Sequence, residues 1–350
     1  MRNSVFANLL GLSSLLYLLG GAQPAKAFEI EYEEHFGAAD AASIVRILSS
    51  TDSDRFKPVI TGFIARNPDL GVHYVTASTA EIYTAIAVEK QPFDLVISSA
   101  MDLQMKLAND GFTQAVDTVE TKAVPGWARW RTEVFGFALE PVVMLISKKD
   151  FANLTVPRTR HEMLALIRNN SSVFKDRIGT YNPETSGAGY LFSTQDARQS
   201  DTFWRLAEVM GRLNAKLYCC TSKMIEAVDK GDLALAYNLL GSYANAILPA
   251  NSNAQIIAFE DYTHILLRTA IVPITSQSPA GGIRFLNFLV SPDGQSILDS
   301  EAKLPALNNS VIDKLANRKP IRLDAGLLVF LDRLKKTHFL REWNAALIQN

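Results

Sequence analysis

The sequence contains very little cysteine, which limits covalent cross-links and metal sites. Its 350 residues include only Cys219 and Cys220, and these two are adjacent. Consecutive Cα atoms lie about 3.8 Å apart, below the roughly 4.4–6.8 Å that is usual for a disulfide, so a bridge between them would be strained. Two small buried residues in a strand are the simpler interpretation. No second cysteine or histidine cluster accompanies the pair, so the sequence offers no metal site there.

Histidine is also sparse, and the motifs of nucleotide-binding proteins and hydrolases are missing. The five histidines, His35, His73, His161, His264 and His338, have no metal-ligand spacing. No lysine follows Gly187 as in a phosphate-binding P-loop, and no G-x-S-x-G nucleophile elbow occurs. Ser172 and Lys175 match an S-x-x-K pattern without its partner motifs, which leaves a secreted hydrolase as the weakest alternative. We therefore expect a protein without cofactor, bound metal or catalysis.

Long apolar runs and basic patches are missing beyond the N-terminus, so neither a membrane span nor nucleic-acid binding is indicated. The N-terminus has the pattern of a secretory signal: Arg2, an apolar run over 6–19 and a small-x-small motif that ends at Ala27. We predict that residues 1–27 are a cleaved signal peptide and that the mature protein is free in the periplasm. Cleavage removes Arg2 and Lys26 but no acid, so the formal charge of -1 becomes about -3.

Apolar runs typical of strands alternate with amphipathic runs typical of helices. The segments 43–51, 71–78 and 93–100 predict strands, and 55–69 and 79–90 predict the helices between them. Repeated βα units with continuous apolar strands predict a parallel sheet that is covered on both faces.

A second α/β set of similar size follows, without a disordered linker, which suggests that the chain crosses between two lobes more than once. We expect lobe 1 to comprise 43–134 plus 270–310, lobe 2 to comprise 135–269, and 311–350 to form a helical C-terminal extension.

Hydroxyl side chains recur where the predicted strands end. In open α/β sheets, ligands bind beyond these ends, where helix N-termini favour carboxylate or phosphate. Each hydroxyl alone is explained by an ordinary helix cap, but four such places predict a shared cleft. Arg131, near the predicted crossover between the lobes, has a planar guanidinium that can bind a carboxylate or phosphate through two hydrogen bonds. The strand that ends at Tyr237 and Asn238 would face the cleft from lobe 2. The candidate ligand-binding residues are Ser50, Thr51, Ser78, Ser98, Ser99, Arg131, Thr185, Ser186, Gly187, Tyr237 and Asn238.

Several segments resemble the type 2 periplasmic solute-binding proteins of ABC importers, in particular the group that includes ferric-ion-binding proteins. They are "VISSAMDLQMKLANDG", "WRTEVFGFALEPVVMLIS", "YNPETSGAGY", "GDLALAYNLLGSYA" and "FLNFLVSPDGQ", and together they span nearly the whole mature chain. The segments "EPVVMLIS", "YNLLGSYA" and "PIRLDAGLLVFLDRLKK" look most like the phosphoglycerate-transport regulatory and hexose-phosphate-binding branch. The resemblance implies two α/β lobes that are joined by crossing strands and close on a ligand by a hinge.

The resemblance also implies a ligand and a partner. Iron binders of this group use adjacent tyrosines, whereas Tyr237 and Tyr243 are separated here, so Fe(III) is an alternative rather than the expectation. A small anionic organic solute, phosphorylated or carboxylated, suits the hydroxyl-rich strand ends and Arg131 better. We expect a monomer that presents this solute to an ABC permease, and the alternative is a sensor subunit that signals to a membrane kinase.

Overall fold

The computed structural model of the protein describes residues 27–38, 41–308, 310, 314 and 317–349. The predicted signal peptide, apart from Ala27, lies outside the described residues, as does part of the predicted C-terminal extension. Among the helices of the described part, none combines the length and the apolar character that a membrane span requires.

Within the described ranges, twelve strands join into one mixed sheet with the order β1-β3-β2-β4-β11-β6-β9-β7-β8; β5 and β10 pair with β6, and β12 pairs with β11. Parallel pairing of β2 with β3 and β4, and of β7 with β8 and β9, confirms the predicted βα sets in both lobes. The strands are β1 Tyr32–Phe36, β2 Ser43–Ser49, β3 Leu70–Thr76, β4 Leu95–Ser98, β5 Arg129–Trp130, β6 Val134–Ser147, β7 Ile178–Tyr181, β8 Lys216–Tyr218, β9 Leu235–Leu240, β10 Ala254–Ile257, β11 Thr263–Ile271 and β12 Arg318–Pro320.

The helices lie between these strands and cover the sheet. They are α1 Ser53–Arg66, α2 Thr79–Tyr83 with a π-helical continuation over Thr84–Val88, α3 Met101–Asn109, α4 Val119–Ala123, α5 Arg160–Asn169, α6 Ser171–Phe174, α7 Gly187–Gln199, α8 Thr202–Arg212, α9 Thr221–Lys230, α10 Gly241–Ile247, α11 Pro279–Val290, α12 Pro292–Ser300 and α13 Arg333–Leu347. Short 3₁₀ turns occur at Gly126–Ala128 and Ala325–Leu331.

Two long strands, β6 and β11, connect the lobes. Glu140 and Pro141 interrupt the apolar run and predict two strand pieces, but the structure has one strand of 14 residues. Up to Pro141 this strand pairs with β11, and from Val142 onward it pairs with β9 of lobe 2. Proline is accommodated because it stands where the strand changes partners, so its missing amide proton interrupts no continuous ladder.

The C-terminal segment contacts both lobes. Its 3₁₀ turn at Ala325–Leu331 packs on α3 of lobe 1, while α13 packs on α8 of lobe 2. Gly211 of α8 permits the second contact, because a Cβ there would lie 2.3 Å from the carbonyl oxygen of Ala346. The sequence predicted one helical run over this segment; the structure divides it at Asp332, whose carboxylate accepts hydrogen bonds from the first turn of α13.

Candidate functional site

A small cavity lies between the lobes at the ends of the parallel strands, with a volume of about 60 Å³. The carboxyl ends of β2, β3 and β4 meet there, as do the N-termini of α7 and α9 from lobe 2. The lining residues include Glu31, Ser50, Asp52, Ser78, Thr79, Ser99, Tyr181, Ser186, Cys219, Cys220, Thr221, Ser222, Tyr243 and Arg268.

Four of the hydroxyl residues that the sequence singled out line this cavity: Ser50, Ser78, Ser99 and Ser186. Two of them also serve as helix caps, since Ser78 Oγ accepts from the Glu81 amide and Ser186 Oγ accepts from the Gly189 amide, each at 3.2 Å. Ser50 Oγ accepts from the Ser99 amide at 3.0 Å. The same serine can therefore cap a helix and line the cavity, because each of these helices follows a strand that ends at the cleft.

Arg268 of β11 supplies the cationic group of the cavity, and it is fully buried. Its Nε donates to Glu140 Oε1 and its Nη1 donates to Thr51 Oγ1, both at 2.7 Å. Burial opposes the charge of Arg268, but the adjacent Glu140 carboxylate holds its pKa above the usual value. Nη2 is buried and has no hydrogen-bond partner among the described residues. Such an unsatisfied charged donor is costly in a folded protein.

The lobes touch each other directly beside the cavity. The Asp52 amide donates to the Tyr243 hydroxyl at 3.0 Å, and the Ala188 amide donates to Thr79 Oγ1 at 3.2 Å. Gly187 is needed for this approach, since a Cβ there would lie 2.6 Å from Leu103 Cδ1 and 3.0 Å from Thr79 Oγ1. The structure therefore represents a closed arrangement of the cleft.

Carboxylates lie on the rim of the same cavity. Loss of solvent and the neighbouring charge of Asp52 raise the pKa of Glu31. Glu31 and Asp52 can accept hydrogen bonds from a ligand, whereas Arg268 can donate them. The wall is thus polar on both sides and suits a ligand with both acceptor and donor groups.

Several sequence-predicted residues lie elsewhere or have other partners. Arg131 is exposed and stacks its guanidinium 4.2 Å from the Trp130 ring, away from the cavity lining. Thr185 is exposed. Ser98 is buried and its Oγ accepts from the Ala100 amide at 3.1 Å. Thr51 is also buried, and its Oγ1 accepts from Arg268.

Tyr237 and Asn238 do not face the cleft as the sequence suggested. Both donate to Asp196 Oδ2, at 2.8 Å each, inside lobe 2. Arg160 completes this cluster: its Nε donates to the Tyr237 hydroxyl at 2.7 Å, and its Nη2 lies 3.5 Å from Asp196 Oδ1. These contacts hold the interior of lobe 2 together.

Cys219 and Cys220 also differ from the expectation of buried strand residues. They follow β8, immediately before α9; Cys219 is exposed and Cys220 is half-buried. Both line the cavity, which sequence reasoning had not indicated. In the described residues no cluster of three or more metal-binding side chains is present.

Arg268, Glu140 and Tyr243 lie at the site but were not among the sequence-predicted residues. The segment "HILLRTAIV" carried a usable signal, since a single arginine interrupts an otherwise apolar run. The sequence pattern predicts a strand that begins at Thr269 and excludes Arg268, whereas β11 begins at Thr263. A buried arginine requires a partner of opposite charge. Glu140, the partner of Arg268, similarly interrupts the apolar run "FALEPVV".

Comparison with known proteins agrees with this architecture. The family model for bacterial extracellular solute-binding proteins matches residues 45–301. A substrate-binding protein of an ABC transporter from Agrobacterium tumefaciens is 33% identical and superposes with a TM-score of 0.86, covering 90% of this chain and 98% of that chain. No curated protein matches the sequence.

More distant structures share the fold. The periplasmic binding protein AfuA from Actinobacillus pleuropneumoniae, with fructose-6-phosphate bound, has a TM-score of 0.69 at 11% identity, covering 88% of this chain and 99% of that chain. Iron-bound HitA from Pseudomonas aeruginosa has a TM-score of 0.66 at 14% identity, covering 87% and 99%. At these identities the likeness shows the two-lobed fold alone.

Proposed function

Because this chain belongs to the family of bacterial extracellular solute-binding proteins of ABC importers, we propose that it captures a small anionic organic solute, phosphorylated or carboxylated, in the cleft. The observation that carries the proposal is the buried Nη2 of Arg268, which has no partner among the described residues. An oxyanion of the solute would accept from this donor. Charge-assisted hydrogen bonds of this kind are about twice as strong as neutral ones.

The surrounding groups support an anion in the same place. The N-termini of α7 and α9 reach the cavity through Ser186, Ala188, Thr221 and Ser222. Helix N-termini carry a partial positive charge and favour carboxylate or phosphate. The serine hydroxyls can rotate to donate to further oxygens of the solute.

The cavity volume supports a compact solute. One buried water requires roughly 10–15 Å³, so the 60 Å³ of the closed cleft accommodates about four to six non-hydrogen atoms. A phosphate or a short carboxylate fits this space. A larger solute, such as 3-phosphoglycerate or a hexose phosphate, would place its anionic group here with the lobes further apart.

Solute binding would act by shifting the protein toward the closed arrangement, since the solute contacts both lobes only when they approach. The closed form would then present the solute to the permease. We also infer that the protein works as a monomer in the periplasm after cleavage following Ala27.

A thermal-shift screen tests the ligand class. Inorganic phosphate, 3-phosphoglycerate and small dicarboxylates are compared with the uncharged control glycerol. A solute at a hundred times its dissociation constant stabilises the folded state by about 2.7 kcal/mol, which raises the melting temperature by several degrees. We expect such a shift from at least one anion and none from glycerol. Absence of a shift with every anion, together with tight binding of Fe(III), would overturn the proposed ligand class.

Replacing Gly187 with alanine is expected to weaken binding of the stabilising anion about tenfold. The new methyl group would meet Leu103 and Thr79 only when the lobes are closed, and overpacking of this kind costs about 1–3 kcal/mol. Isothermal titration with that anion measures the change. Gly126 is the matched control, since a Cβ there meets nothing within 4 Å; equal affinities of both variants would contradict the role of Gly187 in closure.

A further inference from the structure

The two cysteines form a close pair on the wall of the cavity. Their sulfur atoms lie 2.8 Å apart, and both residues line the cleft together with Thr221 and Ser222. Cys219 is exposed, so a reagent in solution reaches it, while Cys220 is half-buried. The sequence contains no third cysteine, so each can form an internal disulfide only with the other.

We propose that Cys219 and Cys220 are an oxidative modification site, at which a disulfide between the adjacent residues forms reversibly and reshapes the cavity wall. The family's extracellular location exposes the pair to oxidants, since disulfides form and persist outside the cytosol. The oxidant is a small-molecule disulfide or an oxidoreductase in its disulfide form.

The reaction proceeds by thiol–disulfide exchange. Deprotonated Cys219 attacks one sulfur of the external disulfide, forms a mixed disulfide and releases one thiol. Cys220 then loses its proton, attacks the Cys219 sulfur and releases the second thiol. Two protein thiols are thereby oxidised and one external disulfide is reduced to two thiols. Burial and, to a smaller extent, the neighbouring Cys219 raise the pKa of Cys220 to about 12. Because the attacking group is the deprotonated thiol, the second step becomes faster as the pH rises.

The disulfide would alter the site because of where Cys220 stands. It occupies the residue before α9 in an extended conformation. The next residue, Thr221, is hydrogen-bonded through its hydroxyl to Tyr181, which also lines the cavity. Closing the ring between adjacent residues requires the backbone at Cys220 to turn, because their Cα atoms start about 3.8 Å apart. That turn moves Thr221 and Ser222 in the cavity wall, so oxidation weakens solute binding.

Mass spectrometry of the full-length mature protein after treatment with oxidised glutathione tests the modification. We expect the peptide that contains both cysteines to lose two hydrogens, to carry no glutathione, and to regain both thiols with dithiothreitol. In Cys220→Ser the second step is impossible, so a glutathione adduct should persist on Cys219. A lasting adduct on the natural protein, or two thiols that stay free, would overturn the modification site.

The effect on the cavity is tested separately and depends on the proposed function. Oxidised and reduced protein are each titrated with 3-phosphoglycerate and with inorganic phosphate by thermal shift, with Cys219→Ser/Cys220→Ser as the redox-insensitive control. We expect oxidation to reduce the shift of the natural protein and to leave the control unchanged. Equal thermal shifts for the oxidised and the reduced natural protein would contradict the proposed effect of oxidation on solute binding. If neither anion binds the reduced protein, the proposed ligand class fails while the mass result still decides the modification.

Discussion

The double substitution Arg268→Met/Glu140→Gln is expected to weaken anion binding by about thirty-fold or more in a protein that still folds. Arg268 is the buried cation of the cavity, and its Nη2 is the donor that we assign to the solute. Loss of a buried charge-assisted contact costs about 2–5 kcal/mol, which corresponds to a thirty-fold or larger loss of affinity. Titration calorimetry with the anion selected by thermal shift measures this change.

The double substitution is required because replacing Arg268 alone would also destabilise the fold. Its Nε–Glu140 contact of 2.7 Å joins two fully buried groups. Removing one partner leaves an uncompensated buried charge, at a cost of about 3–5 kcal/mol, whereas removing both charges is often nearly neutral for stability. We therefore expect Arg268→Met alone to unfold at markedly lower temperature and the double variant to melt close to the natural protein.

Arg131→Met serves as the control for charge. Arg131 is exposed and stacks on Trp130, so its removal should leave both affinity and melting temperature nearly unchanged. Retained anion binding in the double variant, or its loss in Arg131→Met, would show that the anion contacts a different cation.

Replacing Asp196 with asparagine is expected to cause the largest loss of stability in lobe 2. Asp196 is fully buried and accepts hydrogen bonds from Tyr237, Asn238 and Tyr262, at 2.8, 2.8 and 3.0 Å. The substitution keeps the shape but removes the charge that faces Arg160 and His264. A cost of roughly 3 kcal/mol follows for a broken buried ion pair, which lowers the melting temperature by on the order of 10 °C.

The same carboxylate predicts how stability depends on pH. Burial opposes the charge of Asp196, but Arg160 and hydrogen bonds from the cluster hold its pKa well below the usual 3.8. A carboxyl group with a lowered folded-state pKa stabilises the protein above its unfolded pKa and loses this contribution as the pH falls below it. Between pH 5 and pH 3 we expect the natural protein to lose more stability than Asp196→Asn.

Calorimetric melting across this pH range provides the test, with Asp117→Asn as the control. Asp117 forms an exposed pair with Lys122 at 3.1 Å, and exposed pairs contribute little. An Asp196→Asn variant as stable as Asp117→Asn would mean that the cluster does not support lobe 2.

The general fold could be predicted because its signals are local. The alternation of apolar strands and amphipathic helices in 43–100 follows directly from side-chain periodicity. The corner at Ser291–Pro292, where α11 ends and α12 begins, is likewise determined by residues that are adjacent in the sequence. Strand ends rich in serine indicated one wall of the cavity, since parallel strands bring their carboxyl ends to the same edge.

The central polar contacts could not be predicted because they join distant parts of the chain. Arg268 and Glu140 are separated by 128 positions, and neither position alone indicates the other. The directions of Tyr237 and Asn238 do not follow from strand alternation, since Asn238 has a left-handed backbone with φ of 65° and both side chains reach Asp196. The place of Cys219 depended on the length of β8, which ends at Tyr218, one residue before the pair.

The most direct test of the central claim is the identity of the solute that co-purifies with the protein and is released by denaturation. Mass spectrometry should find a compact phosphorylated or carboxylated anion, close to one per chain in the natural protein and lost from the Arg268→Met/Glu140→Gln variant. A neutral or cationic solute, or Fe(III) retained equally by both proteins, would contradict the assignment of Arg268 as the anion-binding group.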